Sequence, residues 1–106
     1  MRLPISLDQE KITAFCRRRQ ISEFSLFGSV LREDFGPESD VDVLISFEPD
    51  IPWSLFDWID MVEELQAILG REVDVVEKSG LRNPFRRQAI LTNRRVIYTS
   101  VKAEVV

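Results

Sequence analysis

The chain has 106 residues, 44% of them hydrophobic and 30% charged, with no histidine and one cysteine, Cys16. This size fits a single domain, residues 1–106, with one core burying roughly 65% of the surface that the unfolded chain exposes, and the composition is neither that of a disordered chain nor that of a membrane protein. The missing histidine and the lone cysteine exclude Ser-His-Asp and Cys-His catalysis, imidazole acid–base chemistry, an internal disulfide and the usual zinc sites. The net charge of −4 conceals three blocks: +3 over residues 1–20, −13 over 21–77 and +6 over 78–106. An acidic centre is a poor nucleic-acid surface and a good place for a divalent cation, although most of its charges belong to solvated helix faces. No apolar run approaches the roughly 20 residues of a spanning helix and the N-terminus lacks a signal-peptide pattern, so the expected location is the cytoplasm.

The first predicted element is a helix from Asp8 to Arg19, with Ser6 and Gln9 spaced as a capping pair. Ile12, Phe15 and Cys16 share its apolar face, and Arg17, Arg18 and Arg19 fill its last turn. Ile21 to Phe27 alternates as a strand and runs into Gly28-Ser29. A helical turn over Val30 to Asp34 follows, before Gly36-Pro37 breaks the chain. Asp40 to Phe47 is the clearest strand, closed by Pro49 and Pro52. Ser54 to Leu69 predicts a helix capped by Ser54 and Asp57, with Leu55, Ile59, Val62, Leu65 and Leu69 as its apolar stripe and Gly70 as its stop. Glu72 to Glu77 reads as a third strand. Asn83-Pro84 starts a helix ending near Asn93, and Val96 to Ser100 forms a last short strand. Strands and helices in this order give an α/β or α+β fold, a small mixed sheet of about four strands with helices packed against it.

Three aspartates stand where a buried strand wants hydrophobes. In a strand, residues two apart share a face, about 6.5–7 Å from each other. Asp40 and Asp42 therefore face one way, and Val41, Val43 and Ile45 the other. Two adjacent carboxylates repel, and either a shared proton or a bound divalent cation relieves them. Asp74, set among Val73, Val75 and Val76, supplies a third oxygen ligand if its strand neighbours that of Asp42. The plainer alternative is a turn cap at Asp40 and two carboxylates facing water. Gly28-Ser29, after one strand and opening a short helix, offers amides and a hydroxyl to an anion. A phosphate cradle facing a carboxylate cation site is how a site for a nucleoside triphosphate with Mg²⁺ is assembled.

The stretch F-G-S-V-L-R-E-D-F-G-P-E-S-D-V-D-V-L-I resembles the G-S-x10-D-x-D signature of the DNA polymerase β-like nucleotidyltransferase superfamily. The chain is similar to its minimal nucleotidyltransferase (MNT) branch from the first helix to the last strand. The resemblance implies that Gly28 and Ser29 hold the triphosphate, that Asp40, Asp42 and Asp74 bind two Mg²⁺ ions, and that Asp74 lies near the attacking hydroxyl. Arg32 matches the basic residue common three positions after the serine; otherwise it pairs with Glu33 or Asp34. Glu33 replaces the glycine often found after that arginine. The reaction implied is transfer of a nucleoside monophosphate from a nucleoside triphosphate to a hydroxyl, with two metal ions rather than histidine activating the acceptor.

Polymerases and antibiotic-modifying relatives carry a further acceptor-binding domain, for which this sequence has no room. Minimal members are typically paired with a small helical HEPN protein, as antitoxin and toxin. The resemblance thus implies AMP transfer from ATP to a tyrosine of a HEPN toxin, masking its ribonuclease site. The alternatives are a non-catalytic antitoxin that caps its partner, and a subunit of a small-molecule nucleotidyltransferase. Trp53, Phe56 and Trp58 could anchor a partner or belong to the core. Arg82, Arg86, Arg87, Arg94 and Arg95 could meet an acidic partner, steer ATP or form a solvated helix face. Tyr98 is read as a half-buried strand residue and Cys16 as core.

Overall fold

Period-two and period-3.6 patterning resolve into four strands, three α-helices and two 3-10 turns among the described residues of a computed structural model, which are 5–32, 35–36, 38–49, 52 and 54–100. In chain order these are α1 (Gln9–Arg18), β1 (Ile21–Phe27), a 3-10 turn (Gly28–Leu31), β2 (Val41–Phe47), α2 (Leu55–Leu69), β3 (Val73–Glu77), a second 3-10 turn (Lys78–Gly80), α3 (Pro84–Asn93) and β4 (Arg95–Thr99). The helical-turn expectation for Val30 to Asp34 is met earlier in the chain, and Glu33 and Asp34 lie outside the described residues. The strands form one mixed sheet in the order β3-β2-β1-β4. β2 is antiparallel to β1 and parallel to β3, and β4 is antiparallel to β1. This is the expected α+β architecture.

Alternation along the strands divides the core between the two faces of the sheet. On one face, Phe24 and Leu26 of β1 and Val41, Val43 and Ile45 of β2 pack with Ile12, Phe15 and Cys16 of α1 and Met61 and Leu65 of α2. On the other, Phe27 and Leu44 meet Leu81 and Ile90, the latter from α3. Cys16 is fully buried, and burial pushes its thiol up to about 12, so it is a core residue and not a nucleophile. Tyr98 is half-buried against the first cluster.

Two local expectations are corrected. The cap of α1 is Asp8, not Ser6: its carboxylate accepts the Lys11 N–H at 3.1 Å. An ionised cap both satisfies an open amide and complements the positive end of the helix dipole. In α2 the Ser54–Asp57 capping box and the left-handed Gly70 stop are present, and Val62, Leu65 and Leu69 of the stripe pack into the core, but the N-terminal part of the stripe does not. Met61 and Leu65 are fully buried, whereas Leu55 is 71% exposed and Ile59 44%. The sheet and α1 cover α2 only from Trp58 onward, where the Trp58 ring stands edge-on to Phe47. The apolar first turn is left outside.

Glu64 links α2 to α1. Arg19 donates to its carboxylate from Nε at 3.0 Å and from Nη2 at 2.9 Å, and Arg18 adds a second ion pair. Partial burial alone would raise the Glu64 carboxyl, but the hydrogen bonds and charges of both arginines outweigh it and hold it below the ordinary range. A lowered folded value contributes stability above the unfolded glutamate range, about pH 4.3, which is lost as pH falls through the lowered value. Glu64→Gln is therefore expected to cost about 1 kcal/mol in urea unfolding at pH 7, and progressively less as pH falls below the ordinary glutamate range of about 4.3.

Candidate active site

The registers of β1, β2 and β3 bring the predicted residues to one end of the sheet. Phe27, the last residue of β1, lies opposite Asp42, and Asp42 lies directly beside Asp74 on β3. The C-terminal end of β1 thus meets the N-terminal ends of β2 and β3. Asp42 is half-buried, Asp74 exposed. Asp40 is exposed and stands one residue before β2, outside the strand to which its alternation with Asp42 had assigned it.

Gly28 makes the turn out of β1 possible. Its φ is +72°, and a Cβ there would run into Asp42 Oδ2, so only glycine lets the backbone approach that carboxylate. The Ser29 N–H donates to the Asp42 carboxylate, and Ser29 Oγ donates to the Asp40 carbonyl at 3.3 Å. Burial, and next the charge of Asp74, push the Asp42 carboxyl up; Asp40 adds to this, while the Ser29 amide and the Arg32 charge oppose it. Arg32 is thereby placed within electrostatic reach of Asp42.

Asp42 and Asp74 fit a hard divalent cation. They are oxygen donors on neighbouring strands, and their mutual repulsion is what a bound cation would relieve. Among the described residues no three His, Cys, Asp or Glu side chains already form a metal-binding group. The close carboxylates are therefore an in-register pair with Asp40 at its margin, and a cation held there would complete its shell with phosphate or water oxygens, as Mg²⁺ usually does.

Patterning missed two polar groups near this face. Glu23 alternates as a solvent-facing residue of β1, yet its carboxylate collects Arg94 Nε at 2.9 Å, Lys78 Nζ at 3.5 Å and Ser25 Oγ at 3.1 Å. Arg94 also donates to the Leu91 carbonyl at 2.8 Å, and Arg87 to the Lys78 carbonyl at 3.0 Å. The basic stretch is thus not a uniform solvated face: Arg87 and Arg94 seat α3 on the sheet, while Arg82 and Arg86 are exposed. The second missed group is Arg71, whose guanidinium stacks on Phe35 and bonds to Gly36. Phe56, a suggested anchor, is 78% exposed; Trp53 lies outside the described residues.

A mixed sheet that places a glycine–serine turn against paired strand aspartates defines a nucleotidyltransferase, and the comparisons agree. The family model for the nucleotidyltransferase domain matches residues 9–97, and the chain belongs to that family. It is 40% identical over 78 residues to the protein adenylyltransferase MntA of Thermococcus cleftensis, covering 74% of each chain. A chain of a toxin–antitoxin crystal structure with AMP-PNP superimposes with a TM-score of 0.70 at 18% identity, over 92% of this chain and 77% of that one. A chain from the complex of tri-AMPylated Shewanella oneidensis HEPN toxin with MNT antitoxin superimposes at 0.62 with 16% identity, over 91% and 73%. These two likenesses establish the fold.

Proposed function

We propose that this nucleotidyltransferase transfers AMP from ATP to a hydroxyl, most simply a tyrosine, of a HEPN-type partner protein, the hydroxyl oxygen bonding to the α-phosphorus as the α–β bond breaks and pyrophosphate leaves, and acts as the antitoxin of that pair in the cytoplasm. The observation that carries this reading is the Asp42–Asp74 pair beside the Gly28-Ser29 turn. The backbone at Gly28 and Ser29, with Arg32, holds the triphosphate. Asp40, Asp42 and Asp74 hold Mg²⁺, which when bound neutralises phosphate charge and acidifies the acceptor hydroxyl. The exposed Asp74 carboxylate faces the incoming hydroxyl and can take its proton. Histidine is not needed for any of these roles. The similarity to an MntA adenylyltransferase supports protein as the acceptor, and the fold shared with toxin–antitoxin structures supports a HEPN partner.

The exposed ridge of Leu55, Phe56 and Ile59 at the start of α2 supports a second reading, neutralisation by stoichiometric capping. Incubating the protein with Mg²⁺, labelled ATP and the protein encoded beside it separates the two. Whole-protein mass spectrometry is expected to show one or more AMP additions on the partner, and none when EDTA is present during the incubation. A tight complex with an unmodified partner would sink the enzymatic reading and leave capping.

A further inference from the structure

Ser29 and Asp40, with ten residues between them in the sequence, stand near the two ends of the connection from β1 to β2 and carry part of the site. The base of this connection is tied by the Ser29 Oγ bond to the Asp40 carbonyl. Midway, Arg71 reaches in from the turn between α2 and β3. Its Nη2 donates to the Gly36 carbonyl at 2.8 Å, and its guanidinium lies 4.5 Å from the centroid of the Phe35 ring. The same Gly36 carbonyl accepts the Ser39 N–H at 3.1 Å, and the Gly36 N–H donates to Ser39 Oγ at 3.0 Å. Arg71 stands three residues before Asp74, and the carbonyl of Glu72 between them accepts the Val41 N–H at 3.0 Å. One side chain therefore connects the segment bearing Ser29 and Asp40 to the strand bearing Asp74.

We infer that Arg71 is a positioning residue of the nucleotide site. It holds Phe35, Gly36 and Ser39 in place before substrate arrives, so that the cost of ordering this segment is not subtracted from nucleotide binding. Arginine suits the task because its planar head stacks on the ring while still donating at its edge. The point charge of lysine cannot do both. This role rests on the nucleotidyltransferase reading of Asp42 and Asp74, and none of its contacts involves those side chains.

The test compares wild type, Arg71→Ala and Arg71→Lys as purified full chains, by calorimetric titration with Mg·ATP, amide hydrogen exchange and thermal melting. Arg71→Ala is expected to weaken Mg·ATP binding about tenfold or more and to speed exchange at Gly36 and Ser39, with strand amides and Tm little changed. Arg71→Lys should fall between the two. In transfer assays kcat/KM should drop more than kcat. Unchanged affinity in Arg71→Ala would overturn the assignment. So would a loss of affinity accompanied by equal loss of protection throughout β1–β3, the mark of a purely structural brace. If wild type itself does not bind Mg·ATP, the nucleotide reading fails and Arg71 loses this role with it; equal binding by wild type and variant removes the Arg71 role alone.

Discussion

Asp42→Asn is expected to abolish nucleotidyl transfer while leaving the apo fold slightly more stable. Activity falls because the carboxylate lost is the half-buried member of the pair, beside Asp74 and hydrogen-bonded to the Ser29 amide. A neutral amide is a poor ligand for a hard cation. Losing several kcal/mol of charge stabilisation corresponds to a drop of roughly a thousandfold or more. Stability moves the other way, because the same carboxylate is destabilised by burial and by Asp74. The Asp42 carboxyl is raised in the folded state, so its contribution to stability is present below the ordinary aspartate range, about pH 4, and is lost as pH rises through the raised value. In EDTA the melting temperature of the variant should therefore match wild type near pH 4 and exceed it by roughly 2 °C at pH 7, a small gap because solvent screens the pair. Mg²⁺ with ATP should raise the wild-type Tm and not that of the variant. Retained transfer, or a gap that closes as pH rises, would contradict this account.

Gly28→Ala is expected to damage both fold and activity, and Gly70→Ala only the fold. Both glycines have positive φ, +72° and +68°, but a Cβ at Gly28 would collide with the Asp42 carboxylate, whereas one at Gly70 meets nothing within 4 Å. Gly70→Ala then bears only the left-handed backbone penalty, about 1 kcal/mol, with transfer unchanged. Gly28→Ala adds displacement of Asp42 or of the turn, for a total of roughly 2–3 kcal/mol. Moving the carboxylate and the Ser29 amide by even about 1 Å should cost transfer on the order of a hundredfold. Chemical denaturation together with the AMP-transfer assay reads both quantities. Equal activity in the two variants would show that the close approach at Gly28 does not organise the site.

Much of the fold was legible because its signals are local. Alternation marked β1 and β2, the Ser54–Asp57 capping box and Gly70 bounded α2, and Asn83-Pro84 opened α3, where Asn83 Oδ1 accepts the Phe85 and Arg86 amides. Each depends on residues a few positions apart, whose backbone geometry their own chemistry sets. The face shared by Val41, Val43 and Ile45 follows from the strand period alone. The candidates Gly28, Ser29, Asp40, Asp42 and Asp74 were legible too, from spacing and from polar residues inside apolar runs.

What the chain alone left open were relations between elements. The pairing of Asp42 with Asp74 depends on β2 and β3 being parallel neighbours in that register. A one-residue slip would have turned Asp74 to the opposite face. How much of α2 is covered depends on how far the sheet and α1 extend beneath it, so Leu55 and Ile59 satisfied the periodicity and still remained outside, while Val62, Leu65 and Leu69 met the core. Glu23 obeyed the alternation of a solvent-facing residue, yet was enclosed by cations, Arg94 among them 71 residues away. Arg71 meets Gly36 across 35 positions and carried no local mark. Sequence by itself determined the elements and the chemistry that they bear, because dihedral preference and hydrophobic period act over a few residues. Only the tertiary structure decided which carboxylates stand together and what holds the segment between them, because strand register and long-side-chain contacts are set by packing between distant parts of the chain.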